Sequence, residues 1–354
     1  MRLFTCGHCD HRLYFENVVC ERCAATLGFL PDQFRLVSLD ANEDGRWRPQ
    51  GENTEYCKCL NYEKHAVCNW MVPVADGNDF CTACQLNKTI PDLSVAGNID
   101  LWRTLETEKR RLVYSLLRLG LPVISDDDDP NGLAFDFLAD SGPAFSERGK
   151  VFTGHDEGLI TINIKEADPA ERERMRGEMA EPYRTLLGHF RHESGHYYWD
   201  RLIRDTPHID ECRNLFGNDT LDYSVALEQH YQQGAPSDWQ ENYISSYATM
   251  HPWEDWAETW AHYLHMVDTL ETAWQFGIGI RPKAGDDVTE AVRQDFDPYR
   301  AETIDILIEN WLPLTFALNS LNRSMGHKHA YPFVISPRVT EKLGFVHRVV
   351  HKAT

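Results

Sequence analysis

His192-Glu193-Ser194-Gly195-His196 places two imidazoles four residues apart, with a carboxylate directly after the first. On a helix, positions i and i+4 lie on one face, so both rings can bind a single metal ion. The carboxylate of Glu193 then lies close to a water molecule in the open coordination position. This H-E-x-x-H arrangement is typical of hydrolytic zinc sites, in which the metal acidifies the water and the Glu accepts its proton. The stretch therefore predicts zinc held by His192 and His196, with Glu193 as the general base.

The residues before and around this motif predict helices. Asp168-Pro169-Ala170-Glu171 has the pattern of an N-cap, a first-turn Pro and a capping-box Glu. Glu181-Pro182 begins a second helix, which we extend to about Ile203. Apolar residues recur along the second helix with helical spacing, as expected of an amphipathic helix packed on a core. These apolar residues are Leu186, Phe190, Tyr197 and Ile203.

His189 is a rival ligand, because it shares a helix face with His192 and His196. The pair at i and i+4 has the better geometry, since the pair formed by His189 and His196 spans two turns. Gly195 is costly inside a helix. Its presence predicts that another backbone passes close to this helix.

A third protein ligand must come from outside the motif. A metzincin would have Gly at position 199 and His at position 202, but this chain has Trp199 and Leu202. Further along, Pro252 begins a predicted helix with an apolar stripe on one side and polar residues on another. The polar residues repeat every four positions as Glu254, Glu258 and His262.

We predict that Glu254 is the third ligand. One Glu of the pair can bind zinc while the other, one turn on, accepts a hydrogen bond from a ligand His and fixes its tautomer. Glu258 is then the hydrogen-bonding partner. The reverse assignment stays open, and Asp255 is a weaker alternative.

This ligand set resembles that of gluzincin peptidases, whose zinc is held by two His and a downstream Glu. The segment 246–258 is similar to the Tyr-then-E-x-F-A-E helix of lethal-factor-type toxin peptidases. In that group a Tyr seven residues before the Glu ligand helps to stabilise the oxyanion, and Tyr247 stands at this spacing. The resemblance implies that Tyr247 is catalytic. The alternative is a packed aromatic residue with a locally bonded hydroxyl.

A longer resemblance covers most of the chain. It is to a bacterial family of zinc-binding metallopeptidases with an N-terminal zinc-ribbon region, and it rests on residues 80–84, 90–93, 158–163, 181–189 and 251–265. This resemblance implies an α+β fold, with a mostly helical gluzincin-like domain that contains a small sheet. It also implies that residues 158–164 form an edge strand, which would pair with an extended substrate backbone.

Nine of the ten cysteines precede residue 85, and such clustering favours metal binding over disulfides. Two C-x-x-C pairs come first, and each pair can present two thiolates to one zinc ion. These four predicted ligands are Cys6, Cys9, Cys20 and Cys23. Four thiolates leave no open coordination position, so this zinc site is predicted to be structural.

A second cluster contains one thiol more than a zinc ion needs. It consists of Cys57, Cys59, Cys68, Cys81 and Cys84. In the resembling family the Cys of a C-x-N-Y string is the usual ligand, which implies Cys59 and leaves Cys57 as the spare thiol. His8, His11 and His65 stay open as substitute ligands. This site is also predicted to be structural.

The segment 90–98 marks the predicted domain boundary. Residues 1–95 form the predicted zinc-ribbon region with two structural zinc sites, and residues 98–354 form the predicted metallopeptidase domain. A charged helix is predicted from near Asp100 to Gly120. Residues 133–138 and 159–164 are predicted strands, the second with alternating polarity.

The charge of the chain limits its partners. The net charge is −20, and residues 1–97 carry 9 Lys and Arg against 13 Asp and Glu, which gives −4. Binding to phosphate backbones or to anionic membranes needs a basic face, so we expect no nucleic-acid or membrane partner. No run of 18 apolar residues and no secretory hydrophobic region is present, which favours a cytoplasmic location.

These observations predict a cytoplasmic zinc metallopeptidase that hydrolyses peptide bonds of a peptide or protein substrate, with one catalytic and two structural zinc ions. The zinc ribbons are available for a protein partner. The alternative is a non-catalytic, zinc-stabilised interaction protein that retains a degenerate peptidase site. A nucleic-acid-binding ribbon protein is the weakest candidate, because the ribbon region is acidic.

Overall fold

A computed structural model of the chain describes residues 1–140, 151, 153–178, 185–283 and 296–353. The chain divides into two compact units. The N-terminal unit comprises residues 2–118 and 122–190, and the C-terminal unit comprises Met1, residues 119–121 and residues 191–354. Short sheets lie in the N-terminal unit and helices lie in both units, so the fold is α+β, as the sequence predicts.

Short antiparallel strands form the cysteine-rich part of the N-terminal unit. These strands are β1 (Phe4–Thr5), β2 (Arg12–Leu13), β3 (Leu27–Leu30), β4 (Arg35–Ala41), β5 (Trp47–Pro49), β6 (Tyr56–Lys58) and β7 (Met71–Pro73). β1 pairs with β2, and β3 to β7 form an antiparallel sheet in chain order, with the short helix α1 (Leu60–His65) between β6 and β7. Aromatic rings fill the core beneath, since Phe29 lies 4.9 Å from both Phe15 and Trp70 between ring centroids.

A second sheet follows the cysteines. Its strands are β8 (Asn87–Thr89), β9 (Ala134–Leu138), β10 (Gly154–Asp156) and β11 (Leu159–Asn163), in the spatial order β10-β11-β9-β8. The N-terminal unit also contains the helices α2 (Asn98–Arg118) and α3 (Pro169–Glu178). These elements confirm the predicted strands and the predicted charged helix. β8 precedes the predicted domain boundary, yet it pairs in parallel with β9, which follows that boundary.

The prediction that residues 158–164 form an edge strand is wrong. β11 pairs with β9 along its whole length and with β10 over residues 159–161, so it is an inner strand of the described sheet. The physical reason is the turn before it. Glu157 and Gly158 have φ values of 45° and 94°, as in a two-residue type I′ turn, which folds β10 back along β11.

Helices make up the C-terminal unit. In chain order the helices from residue 186 onward are α4 (Leu186–Leu202), α5 (Ile209–Phe216), α6 (Tyr223–Gln233), α7 (Pro252–Gln275), α8 (Ile304–Ser324) and α9 (Pro337–Lys352). The first five residues of α4 belong to the N-terminal unit. The predicted start of this helix at Glu181-Pro182 lies outside the described residues. None of the helices that the structure describes is long and apolar enough to span a membrane.

α7 is the central helix of the C-terminal unit, because it is buried on most of its faces and packs against α5, α8 and α9. Pro252 stands in its first turn, as predicted, and His251 caps it by accepting a hydrogen bond from the Trp253 backbone at 3.1 Å. The predicted apolar stripe of α7 forms part of the core, because its residues Trp256, Trp260 and Tyr263 are fully buried.

α4 and α7 approach closely at Gly195, which confirms the expected passage of a second backbone. A Cβ atom added to Gly195 would lie 2.9 Å from the Cα atom of Ala257. Two tryptophans of α7 also donate hydrogen bonds to α4 beside Gly195. The Trp256 indole donates to the Gly195 carbonyl at 2.8 Å, and the Trp260 indole donates to the Ser194 hydroxyl at 3.1 Å. Only a residue without a side chain permits this contact.

We therefore expect Gly195→Ala to destabilise the protein. The higher helix propensity of Ala would contribute up to about 1 kcal/mol in favour, but forcing the helices apart costs roughly 1–3 kcal/mol. The expected net loss, about 1 kcal/mol or more, is measured by urea unfolding of the zinc-loaded protein.

Gly154→Ala is the matched control, because a Cβ atom there would meet nothing within 4 Å. A Gly195→Ala variant as stable as the parent protein would show that the distance between α4 and α7 is not constrained at this point.

Candidate metal centre

α4 and α7 bring two histidines and a glutamate together. His192, His196 and Glu254 each offer one ligand atom, and these three atoms lie within 4.8 Å of one another. Nε2 of His192 is 2.9 Å from Oε2 of Glu254, and Nε2 of His196 is 3.4 Å from Oε1 of Glu254. All three side chains are buried. The structure thus unites the three residues that the sequence predicts as ligands.

The geometry fits a small cation with nitrogen and oxygen ligands. Oε2 of Glu254 is buried and accepts no hydrogen bond from the described residues. Nε2 of His192 is near this oxygen, but the two atoms are not oriented for a hydrogen bond. A buried carboxylate oxygen without a partner is unfavourable. Zinc–ligand distances of about 2.0–2.2 Å place tetrahedral ligand atoms about 3.3 Å apart. The observed spacings of 2.9 and 3.4 Å are close to this value.

Glu258 orients one of the histidines. Nδ1 of His192 donates a hydrogen bond to Oε1 of Glu258 at 2.7 Å, so Nδ1 carries a proton and Nε2, which faces Glu254, is the nitrogen that can bind a metal. Burial alone would raise the pKa of Glu258, but the bond from His192 lowers it to about 2. Glu254 thus belongs to the converging group, whereas Glu258 contacts His192 from the other side of its ring. The ligand role of Glu254 stays a prediction, and this geometry favours it over Glu258.

The alternative ligands have other partners. Nδ1 of His189 lies 2.6 Å from Oε2 of Glu166. Asp255 forms a buried ion pair with Lys342 at 2.5 Å. Neither His189 nor Asp255 belongs to the group of converging ligand atoms in the part of the chain that the structure describes.

The two predicted catalytic residues belong to the elements that carry the ligands or adjoin them. Glu193 directly follows His192 on α4 and is buried. Tyr247 lies in a 3-10 turn (Tyr247–Thr249) before α7, with its ring 6.0 Å from that of His192. Burial is the main cause of the raised pKa of Tyr247, which keeps the hydroxyl protonated and able to donate.

Tyr223 is a site residue that sequence reasoning missed. Its hydroxyl donates to Oε1 of Glu254 at 2.9 Å. A single Tyr about thirty residues from its partner carries no spacing signal, so only the tertiary structure reveals this contact.

Ser245 also escaped sequence analysis. Its hydroxyl accepts a hydrogen bond from the Ala248 backbone at 3.1 Å, within the turn that carries Tyr247. The same hydroxyl is hydrogen-bonded to Glu258 and helps to lower the pKa of that carboxyl group. Ser245 thus connects the Tyr247 turn with the residue that orients His192.

The first cysteine group gathers the four predicted thiols. The sulfur atoms of Cys6 and Cys23 are 3.6 Å apart, as are those of Cys9 and Cys20. Zinc–sulfur bonds of about 2.3 Å imply tetrahedral sulfur spacings of about 3.8 Å. Burial would raise the pKa of Cys20, but hydrogen bonds from the backbone of Cys23 and Arg22 lower it to about 6. The group is suited to a closed zinc site.

The second cysteine group contains Cys59 and excludes Cys57. The four converging thiols are Cys59, Cys68, Cys81 and Cys84, and all of them are buried. The sulfur atoms of Cys68 and Cys81 are 3.8 Å apart, whereas Cys57 is exposed. His8, His11 and His65 belong to neither cysteine group within the described ranges.

Comparisons with known proteins agree with this arrangement. A family model described as "Putative zinc-binding metallo-peptidase" matches residues 98–349, and a zinc-ribbon domain model matches residues 3–95. Uncharacterized proteins of Mycobacterium bovis and of two strains of Mycobacterium tuberculosis are 43% identical to this chain over 353 residues. The aligned part covers 99% of this chain and 95% of each relative. No solved structure matches.

The ligand assignments predict the zinc content of the full chain. We expect about three zinc ions per chain, and about two after His192→Ala, because two ligands hold the metal poorly. The measurement is elemental analysis after removal of loosely bound metal. His189→Ala is the control for the rival ligand, and a loss of zinc in that variant would contradict the assignment of His192 and His196.

A second pair of variants tests the spare thiol. Cys59→Ser should lower the zinc content by about one ion and destabilise the fold, because Cys59 is buried among the other three thiols. Cys57→Ser should change neither quantity, since this thiol is exposed. The reverse result would exchange the roles of Cys57 and Cys59.

Proposed function

Because this chain belongs to the family described as putative zinc-binding metallo-peptidases, we propose that it is a zinc-dependent peptidase that acts at His192, His196 and Glu254. The observation that carries the proposal is the convergence of these three ligand atoms, one of them on the residue directly before the buried Glu193. Two histidines and one glutamate leave a fourth zinc position open to water or substrate.

When bound, zinc would acidify a water molecule and polarise the scissile carbonyl. Glu193 would accept the proton of the attacking water and pass it to the leaving amine when the carbon–nitrogen bond breaks. Tyr247 would donate a hydrogen bond to the developing oxyanion. Glu258 keeps His192 in the tautomer that presents Nε2 to the metal.

The cysteine groups would hold two further zinc ions with a structural role. Each group supplies four thiols, so no position is left for a substrate. We propose a peptide or protein as the substrate. We further propose that the zinc ribbons bind a protein partner.

Replacing Glu193 tests the reaction. Glu193→Gln keeps the size of the side chain but removes the base, so we expect hydrolysis to fall by roughly 10²–10⁴-fold while about three zinc ions per chain remain bound. The assay is cleavage of a proteome-derived peptide mixture, read by mass spectrometry. Glu228→Gln, an exposed change on α6, is the control.

Undiminished cleavage by Glu193→Gln would contradict the role of this residue. A parent protein that holds the third zinc ion but cleaves nothing would instead favour the alternative of a non-catalytic interaction protein.

A further inference from the structure

Tyr223 contacts a predicted ligand of the metal centre. A phenol has one proton to donate, and the proton of Tyr223 goes to Oε1 of Glu254 at 2.9 Å. The hydroxyl of Tyr223 therefore occupies one oxygen of the predicted ligand Glu254.

The start of α6 fixes the position of Tyr223. Asp222 caps this helix by accepting a hydrogen bond from the Val225 backbone at 3.0 Å. The ring of His251, which caps α7, donates from Nε2 to the Leu221 carbonyl at 3.1 Å. The same cap residue thus holds the beginning of α7 and the backbone two residues before Tyr223.

The inner face of α6 approaches the site again two helical turns later. His230 lies seven residues after Tyr223, and its ring is 6.1 Å from that of Tyr247. The outer face of this helix is exposed, as shown by Tyr231 at 68% exposure. α6 is therefore a surface helix whose inner side forms a wall of the metal centre.

The bond from Tyr223 makes the two oxygens of Glu254 unequal. Oε1 receives the phenol proton, whereas Oε2 has no hydrogen-bond donor among the residues described. When one oxygen of a carboxylate accepts a hydrogen bond, the other oxygen is left to bind a cation. The hydrogen bond also restricts rotation of the carboxylate beforehand, so less rotational freedom is lost when the cation binds.

We propose that Tyr223 is a positioning residue of the metal centre, which directs Oε2 of Glu254 to the metal. This inference rests on the proposed function, because it assigns Glu254 as a zinc ligand. Tyr223 acts through Glu254 and takes no part in proton transfer.

The competing explanation is simple packing. The ring of Tyr223 lies 5.4 Å from that of His251 and 6.2 Å from that of Trp253. Tyr223→Phe keeps this ring and removes only the hydroxyl, so it separates the two explanations. Tyr231→Phe removes an exposed hydroxyl from the same helix and is the matched control.

The experiment measures release of zinc from the full chain to an excess of chelator. Release of zinc from the three sites is expected to give separate kinetic phases. The phase of the third metal is the one that disappears when the same measurement is made on His192→Ala. We expect Tyr223→Phe to accelerate that phase roughly 10–100-fold, without a change in the ribbon phases or in the melting temperature. Tyr231→Phe should behave as the parent protein, and Tyr247→Phe should alter the release rate far less than Tyr223→Phe.

A release rate within twofold of the parent would overturn the proposal. Tyr223→Leu adds a second test, because it removes the ring as well as the hydroxyl. Fast release in Tyr223→Leu but not in Tyr223→Phe would also overturn it, since packing would then be responsible. A parent that cleaves no peptide but releases zinc as described contradicts the proposed function alone, whereas a parent without a third zinc ion contradicts both.

Discussion

The close contact between α4 and α7 is the constraint on which the metal centre depends. The two histidines lie on one helix, and Glu254 and Glu258 lie on the other, so no ligand set exists unless the helices meet. Gly195 permits this approach because a Cβ atom there would collide with the backbone of Ala257. The hydrogen bond from Trp256 to the Gly195 carbonyl then fixes the register of the two helices. Glycine inside a helix lowers the stability of that helix. Here it allows the close approach that sets the distance between the predicted ligands.

A second constraint connects the cysteines of the N-terminal unit to its sheet. Cys84 lies three residues before β8, and its sulfur is 3.8 Å from Oε2 of Glu106 on α2. The carboxylate of Glu106 is fully buried, and it accepts hydrogen bonds from Asn87 of β8 at 2.7 Å and from Lys109 at 3.0 Å. A buried carboxylate is tolerated only with such partners. The second cysteine group is therefore connected through Glu106 to β8, at the edge of the described sheet that contains β9 and β11.

Local patterns in the sequence were sufficient for much of the fold and of the site. The H-E-x-x-H spacing and the four-residue repeat from Glu254 to Glu258 each describe one helix, and a helix keeps such residues on one face. The position of β11 in its sheet was predicted wrongly, because it depends on whether the turn at Gly158 folds another strand beside it. Tyr223 was missed because its partner lies on a different helix. Sequence periodicity contains no information about contacts of this kind.

The proposed catalytic role rests on a residue that metal binding does not need. Glu254 and Glu258 both contact His192, whereas Glu193 is buried and lies outside the converging ligand group of the described residues. A structural site needs only its ligands, as the two groups of four thiols illustrate. A buried carboxylate directly after the first histidine is what the proposed general base requires. Burial also keeps the Tyr247 hydroxyl protonated, as the proposed hydrogen-bond donor must be.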